Sequence, residues 1–317
     1  MTTRYLMRIT LIALLPGALA MIYFFGFGVL LNLFIAGLFS LGLERAYHHL
    51  RHQPRAAGSD EAAVLTGLLL ALCLPPFVPF FALIVGVGTG LILGKYIYGG
   101  LGNNPFNPAL VGYCFIMISF PAEMTFWQHP AGINWDWLAV WAAKGSASLA
   151  DGYSGATLLD VFRHRGAQTV SEILAPVSYG DLPSVWINLG FLIGGLYLLR
   201  QSVIRYQAPI GFLLGLILPT LVFYDAGSSE SLGSPVFHLV TGGTMLAAFF
   251  IVTDPVSGPD RLQSLFWFGL MAGILTFILR SWSAYPDGIA FAILIANVFA
   301  PLLDRLLSSA QARSRTQ

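Results

Sequence analysis

The chain has 317 residues, of which 56% are hydrophobic and only 10% are charged, and its formal net charge is +1. Its mean hydropathy of +0.74 is too high for a soluble domain of this length, so the composition indicates an integral membrane protein. Apolar residues run on all helical faces for whole stretches, and the alternating pattern of a transmembrane barrel is absent. The spans are therefore expected to be helices, which satisfy their own backbone hydrogen bonds in lipid.

Ten apolar stretches approach the length of about 20 residues that a helix needs to cross a bilayer. The first two are joined by a tight turn near Gly26 and Gly28, and prolines at 75, 76 and 79 mark another sharp turn. We therefore predict an all-α integral membrane protein with about ten transmembrane helices. The predicted spans are residues 7–24, 26–43, 61–76, 79–97, 108–122, 183–200, 208–224, 235–252, 262–279 and 287–306.

The orientation follows from Lys and Arg, because positively charged loops are retained in the cytoplasm. With the N-terminus inside, the exceptions among the 16 Lys and Arg are Lys144, Arg163, Arg165 and Arg280. Both termini are then cytoplasmic, and no cleavable signal is expected, since the first apolar stretch continues straight into the second. This topology predicts a first membrane half (residues 1–122), an outer loop (123–182) and a second membrane half with a short cytoplasmic tail (183–317).

A weak internal repeat is visible. Residues 66–75 (TGLLLALCLP) resemble residues 210–219 (IGFLLGLILP), and about two spans later each half has a break, at 103–108 and at 253–259. Duplicated halves with broken helices often build a central binding site in membrane proteins. The alternative is that Leu, Gly and Pro simply recur in spans, so internal duplication is one of two interpretations.

The side chains offer little redox chemistry of their own. Cys73 and Cys114 lie in separate apolar stretches without a Cys-x-x-Cys pair, so iron–sulfur ligation by this chain is not expected. His48, His49 and His52 cluster in a basic inner loop, which is typical of a solvated, lipid-facing surface rather than a metal site. A redox role would therefore need an organic cofactor.

The acidic residues are expected in loops or near span ends, with none at mid-membrane where an ion site would lie. Asp254, Asp287 and Asp304 come nearest to the spans, and we interpret them as cap or turn residues. A complete ion pathway within this chain alone is not indicated.

The outer loop carries the motif Asp-x-x-Ser-Gly-Ala-Thr at Asp151, Ser154, Gly155, Ala156 and Thr157. It resembles the acceptor motif of flavin transferases, which join the phosphate of FMN to a threonine hydroxyl as a phosphoester. The small residues would permit close approach of the transferase, and Thr157 would supply the oxygen nucleophile. Asp151 and Ser154 would be recognition elements. The alternative is a Gly-rich turn that ends in a helix cap at Ser154 or Thr157.

Three further segments, in the same order along the chain, resemble the D-subunit family of the Rnf ion-translocating oxidoreductases. They are residues 99–113 (GGLGNNPFNPALVGY), 250–258 (FIVTDPVSG) and 285–292 (YPDGIAFA). That family is similar to the B subunits of sodium-pumping NADH:quinone reductases, and the resemblance covers nearly the whole chain. It implies ten spans, a covalent FMN on Thr157 and a noncovalent riboflavin in the membrane part. It also implies membership of a complex that exchanges electrons between ferredoxin and NAD while it moves sodium ions or protons.

Other residues are secondary candidates. Arg163 and Arg165 follow Thr157 closely and would either meet the FMN phosphate or be surface charges. Asn104 and Asn107 are candidates for a wall of the riboflavin site, because amides can pair with the uracil-like edge of the ring; the alternative is a purely structural helix break. The outer loop also contains tryptophans typical of an interfacial amphipathic segment, at Trp127, Trp135, Trp137 and Trp141.

The expected partners are the other subunits of an Rnf-type complex, a flavin transferase and membrane lipid, with no nucleic acid. The expected location is the bacterial cytoplasmic membrane, with the flavin loop on the periplasmic side. The chain would be a redox-active subunit rather than an enzyme by itself, and no catalytic residue or metal ligand is assigned. Two alternatives are a solute channel or transporter without a redox cofactor, and a scaffold subunit that holds redox partners.

Overall fold

The computed structural model describes residues 2–52, 54–127, 135–166, 168, 169, 172, 173, 182–225, 228–283, 285 and 287–314, which form helices joined by turns. The chain divides into two compact units, residues 1–104 with 108–157, and residues 105–107 with 158–317. The sequence-based division at residues 122 and 182 follows the predicted topology rather than the packing, and it stays a prediction.

The first unit contains five apolar helices followed by two short ones. Helices α2 and α3 pack closely, and Gly67 of α3 lies so near Ala36 and Ser40 of α2 that a methyl group would not fit. The helices are α1 (Thr3–Phe25), α2 (Phe27–Leu50), α3 (Ser59–Cys73), α4 (Phe80–Leu91, continued by a π-helical turn at Ile92–Tyr96), α5 (Pro108–Ser119), α6 (Trp137–Gly145) and α7 (Ala147–Tyr153).

The predicted tight turn between the first two spans is present. Gly26 is the single residue between α1 and α2 and has φ of 64°, a conformation that glycine adopts without steric cost. Gly28 lies against the turn between α3 and α4, where a Cβ atom would come within 2.8 Å of the Pro76 carbonyl oxygen. The glycines therefore serve both the reversal of the chain and the close approach of the next turn.

The second unit contains the remaining helices. Glycines Gly211 and Gly215 of one helix face the backbone of Phe266 and Leu270, and Gly269 and Gly273 of another face Ala208 and Phe212, so the two helices approach closely over two pairs of small residues. The helices are α8 (Leu158–Arg163), α9 (Pro183–Arg200), α10 (Gln207–Val222), α11 (Pro235–Val240), α12 (Thr244–Leu246, continued by a π-helical turn at Ala247–Ile251), α13 (Leu262–Trp282) and α14 (Ile289–Ser314).

The all-α membrane architecture is confirmed, and each predicted span contains helix. Among the described residues, α1, α2, α13 and residues 289–308 of α14 are long and apolar enough to cross a membrane, and three further apolar helices are shorter. Three predicted spans need correction. Helix α2 continues to Leu50, seven residues past its predicted end, and α14 continues to Ser314, eight residues past its predicted end. The predicted span 235–252 is broken between Val240 and Thr244.

The outer loop has more helix than its polar sequence indicated. Helices α6 and α7 bury Val140, Ala143 and Ala150 in one apolar cluster with Phe77 and Phe126. Helices this short are marginal in isolation, so their stability comes from this packing. The cluster seats α6 and α7 on the end of the first unit where α3 gives way to α4.

Candidate functional site

The predicted flavin attachment motif spans the last turn of α7 and the short non-helical passage before α8. Asp151 is exposed in the last turn of α7, and Ser154 ends that turn, with its Oγ donating to the Asp151 carbonyl oxygen at 3.1 Å. Residues 155–157 are non-helical, with Ala156 exposed and Thr157 half-buried directly before α8. We call residues 151–157 the attachment segment. It combines a hydroxyl nucleophile with a locally extended, partly accessible backbone.

Two contacts of the first unit hold this segment. The Gly155 N–H donates to the Trp127 carbonyl oxygen at 2.8 Å, which ties the segment to the chain before α6. Upstream, the buried Lys144 of α6 donates to Asn32 Oδ1 at 2.6 Å. The attachment segment is therefore tied to the first unit at Gly155 and, through α6, upstream of Asp151.

The two arginines downstream of Thr157 have partners in the second unit. Arg163 Nη1 donates to the Arg280 carbonyl oxygen at 3.3 Å. Arg165 donates to the carbonyl oxygens of Ser229 and Ser231 and lies over the ring of Phe162, 4.0 Å from its centroid. The structure therefore assigns both guanidinium groups to packing around α8, and a role toward a phosphate stays a prediction.

Two of the four tryptophans, Trp137 and Trp141, lie on the exposed side of α6. In α6, Trp137 and Trp141 are half-exposed while Val140 and Ala143 on the opposite face are buried. This division agrees with the amphipathic pattern that the sequence indicated, since aromatic side chains suit a membrane–water boundary.

Asn104 and Asn107 are both buried, at the break after α4. In the second unit, Asn107 Nδ2 donates to Asp254 Oδ2 at 3.2 Å, and Ser257 Oγ donates to the same oxygen at 2.9 Å. Asp254 was predicted as a cap or turn residue, and its Oδ1 does accept from the Val256 N–H at 3.1 Å. It also links residue 107 to the second break, a contact between residues 147 positions apart that no local pattern reveals.

The break between α11 and α12 is a polar site that the sequence reasoning missed. Asn188 Nδ2 donates to the carbonyl oxygens of Val240 and Gly242 at 3.1 and 3.0 Å, and its Oδ1 accepts from the Met245 N–H at 2.9 Å. One side chain thus satisfies three backbone groups that the broken helix leaves open, as lipid surroundings require. The signal in the sequence is Thr-Gly-Gly at 241–243 inside an apolar stretch.

Arg280 and Asp287 complete this site. Arg280 donates to the His238 carbonyl oxygen at 3.0 Å and to Asp287 Oδ1 at 3.0 Å, while Asp287 Oδ2 accepts from the Gly243 N–H at 3.0 Å. Asp287 was interpreted as a cap or turn residue. Its carboxylate does cap a helix, and this helix is α12, because the fold brings residue 287 to the open N–H groups of the break.

A second polar cluster, in the first unit, surrounds Glu44, which directly follows the predicted span 26–43. Glu44 is fully buried within α2, and its Oε2 accepts from Lys95 Nζ and from the Tyr96 hydroxyl, each at 2.8 Å. Ser59 Oγ also donates to this carboxylate, and His48 Nε2 lies 3.3 Å from it. The four partners offset the desolvation of the charge, so the helix continues through Glu44 rather than ending there.

The first unit is thus a helical bundle with an ionic cluster at one end and the attachment segment at the other, and both units are built of apolar helices. The class defined by these features is a multi-pass membrane protein with a polar, partly exposed segment between its helices. Comparison with known families is then specific: the profile of the NQR2, RnfD, RnfE family matches residues 1–313, and the chain belongs to this family.

Curated relatives match over the same extent. The chain is 44% identical to a protein from Ectopseudomonas mendocina (strain ymp) that is named as the D subunit of an ion-translocating oxidoreductase complex, with 95% of this chain and 89% of the relative aligned. It is 41% identical to a protein of the same name from Cellvibrio japonicus (strain Ueda107), covering 95% and 88%. A third, from Citrobacter koseri, is 42% identical and covers 95% and 92%. The family resemblance inferred from residues 99–113, 250–258 and 285–292 is confirmed.

Proposed function

We propose that this chain is a membrane subunit of an ion-translocating oxidoreductase complex and carries FMN as a phosphoester on Thr157. The observation that carries the proposal is the attachment segment. It places a threonine hydroxyl on non-helical backbone between two helices, with Ala156 beside it exposed. Its relatives are named as subunits of such a complex. The coupling ion would be sodium or a proton.

The residues of the attachment segment fit an acceptor role. Gly152 has open space around it, so the transferase meets no obstruction there, and Ser154 closes the preceding helix turn through its own backbone contacts. The net change at Thr157 is the gain of FMN less one water. Once bound, the flavin would supply one- and two-electron chemistry, while this chain holds its attachment point beside the membrane.

In the second unit, Asn107 would form part of the wall of the noncovalent riboflavin that the resemblance implies. Asn107 already donates to Asp254, so the flavin would join an existing polar network. The same network includes Asn297, whose Nδ2 donates to the Ser257 carbonyl oxygen at 2.9 Å. Its buried Oδ1 has no hydrogen-bond partner among the described residues, and it would offer an acceptor to a ring N–H.

The proposed location is the bacterial cytoplasmic membrane with the attachment segment on the periplasmic side. Residues 45–58, which contain Arg45, Arg51 and Arg55, lie at one end of the first unit, where α2 passes into α3. The attachment segment lies at the other end, near the turn at Pro76. Retention of positive loops in the cytoplasm then puts the attachment segment outside.

The test is peptide mass spectrometry on the denatured full chain, produced together with a flavin transferase. Cleavage after Lys144 and Arg163 releases the peptide 145–163, which we expect to carry FMN less one water. Thr157→Val should abolish the modification and Thr157→Ser should retain it, because only the serine keeps a hydroxyl. Ser148→Ala, which removes an exposed hydroxyl from the same peptide outside the attachment segment, is the matched control and should be modified normally.

Flavin released into the supernatant on denaturation measures the noncovalent cofactor in the same sample. An unmodified peptide from wild-type protein made with an active transferase would contradict the covalent proposal. The solute transporter interpretation, which uses the helix breaks but gives Thr157 no role, would then be preferred.

A further inference from the structure

Lys144 occupies an unusual position for a lysine. It lies in α6, seven residues before Asp151, and its side chain is only 1% exposed. Its Nζ donates to Asn32 Oδ1 at 2.6 Å, to the Val78 carbonyl oxygen at 2.8 Å and to the Pro76 carbonyl oxygen at 3.0 Å. The three N–H donors of an ammonium group are thereby all used.

Every partner of this ammonium group is neutral. No carboxylate of the described residues forms an ion pair with Lys144, and the remaining neighbour is the ring of Phe80, 5.4 Å from Nζ to its centroid. Burying a cation without a counter-ion is costly, and an apolar side chain would fill this space at lower cost. What only lysine provides here is a charge that can be lost: the neutral amine keeps two N–H donors and avoids the cost of burying a cation.

The position of Lys144 couples it to the attachment segment. Helix α6 ends at Gly145, and Ser146 is the N-cap of α7, which contains Asp151. Ala143 of α6 and Ala150 of α7 share one apolar cluster. Release of Lys144 from its acceptors would therefore loosen both helices and the attachment segment that follows.

We propose that Lys144 is a positioning residue that latches α6 and α7 to the outer end of the first unit, and that this latch tightens as the pH rises. The part of the proposal that concerns presentation of Thr157 to a transferase rests on the proposed function. The latch itself is independent of the proposed function. It would make the mobility of the attachment segment respond to the proton concentration on its side of the membrane.

The direction of the pH effect follows from proton linkage. Burial lowers the pKa of Lys144 to about 7. An exposed lysine has a pKa of about 10.4, so docking of α6 releases a proton between about pH 7 and about pH 10. Docking should therefore strengthen by about tenfold per pH unit in this window and be independent of pH below it.

Among the described residues, the groups in contact with the Lys144 ammonium are not titratable. The groups that face Lys144 are the Asn32 amide from α2, the carbonyl oxygens of Pro76 and Val78 from the turn after α3, and the Phe80 ring from α4. Asp136 is the N-cap residue of α6, the helix that contains Lys144, and its carboxylate accepts from the Ala139 N–H. It lies at the opposite end of that helix from Lys144.

The test is amide hydrogen exchange of the peptide 137–157 in the detergent-solubilised full chain from pH 6 to pH 9.5. Intrinsic exchange rises about tenfold per pH unit, and local opening of the wild type should fall by the same factor above pH 7, so the observed rate should become nearly independent of pH. A wild-type rate that rises about tenfold per unit throughout would overturn the latch.

Three variants separate titration from simple packing. Lys144→Met stays neutral and Lys144→Arg stays charged, so both should follow the intrinsic tenfold rise per unit. Asp136→Ala removes the N-cap of the same helix and should raise exchange about fivefold at every pH while it keeps the flat wild-type profile. A flat profile in Lys144→Met would also contradict the proposal.

Flavin incorporation into the same proteins is the second readout. If wild-type Thr157 is modified, Lys144→Met should slow modification and Lys144→Arg should not rescue it. If wild-type Thr157 is not modified, the proposed function fails while the exchange profile still decides the latch. If the profile is flat in wild type and modification is unchanged in the variants, the latch exists but does not present Thr157.

Discussion

The sequence contains two lysines, Lys95 and Lys144, and both are buried, whereas the surface cations are arginines. Like the other charged residues, lysine is almost never fully buried unless it is paired. Lys95 is paired with Glu44, and Lys144 meets neutral acceptors at the other end of the first unit. The twelve residues that separate Asn32 from Glu44 correspond to about 18 Å along α2, so the two lysines anchor opposite ends of that helix.

The Glu44–Lys95 pair leads to a stability prediction. Lys95→Met leaves the Glu44 carboxylate buried without its main counter-ion, so we expect a loss on the order of 3–5 kcal/mol, seen as a lower unfolding temperature in detergent. The double variant Glu44→Gln/Lys95→Met should recover much of this loss, because no charge then remains unpaired.

The matched control is the salt bridge of Glu61 with Arg8 (2.9 Å), whose arginine is largely exposed. Arg8→Gln should cost less than about 1 kcal/mol, because this arginine is largely exposed and Arg4 remains paired with Glu61. If Lys95→Met were no more harmful than Arg8→Gln, the buried pair would not stabilise the first unit.

At the level of elements, the helix breaks share one feature. A π-helical turn at Ile92–Tyr96 precedes the break at 103–108, and another at Ala247–Ile251 precedes the break at 253–259. Such turns often occur at functional sites. The two halves differ in how these helices pack: α3 packs on α2, the helix before it, whereas its counterpart α10 packs on α13. The interpretation as duplicated halves therefore stays a prediction.

In the break between α11 and α12, alanine substitution of the adjacent residues Gly242 and Gly243 is expected to lower stability by very different amounts. Gly242 has φ of 59°, and a Cβ atom there would overlap Asp287 Oδ2 and lie 2.7 Å from Arg280 Nη2. Gly242→Ala should therefore cost more than about 1–2 kcal/mol, from backbone strain and displacement of the ion pair.

Gly243→Ala is the control, since its Cβ atom would lie 4.0 Å from Asp287 Oδ2 and its φ is negative. Thermal unfolding of both variants in detergent measures the difference. Equal unfolding temperatures would show that the Arg280–Asp287 pair does not hold this break.

At the level of the whole molecule, the proposed orientation rests on the two ends of the first unit. Ala57, in the basic loop, and Ser148, in α7, are both exposed. With Cys73 and Cys114 replaced by alanine, a membrane-impermeant maleimide should label Ser148→Cys in intact cells with a permeabilised outer membrane. Ala57→Cys should react only after the inner membrane is opened. The reverse pattern would invert the topology.

The sequence by itself determined the membrane class, the helical spans, the tight turn at Gly26 and the family. Each depends on hydropathy, on local backbone requirements or on contiguous motifs. The predicted acceptor role of Thr157 also rests on the sequence, since it is a property of seven consecutive residues.

Only the tertiary structure decided which polar residues act together. Glu44 looked like the end of a span because hydropathy ignores the Lys95 that neutralises it, and Asp287 looked like a local cap because its Gly243 partner is 44 residues away. Lys144 looked like an exception to the charge rule, although its three acceptors come from α2 and the turn before α4. A buried polar group is stable only where the fold brings partners to it, and one-dimensional patterns carry no record of those long-range contacts.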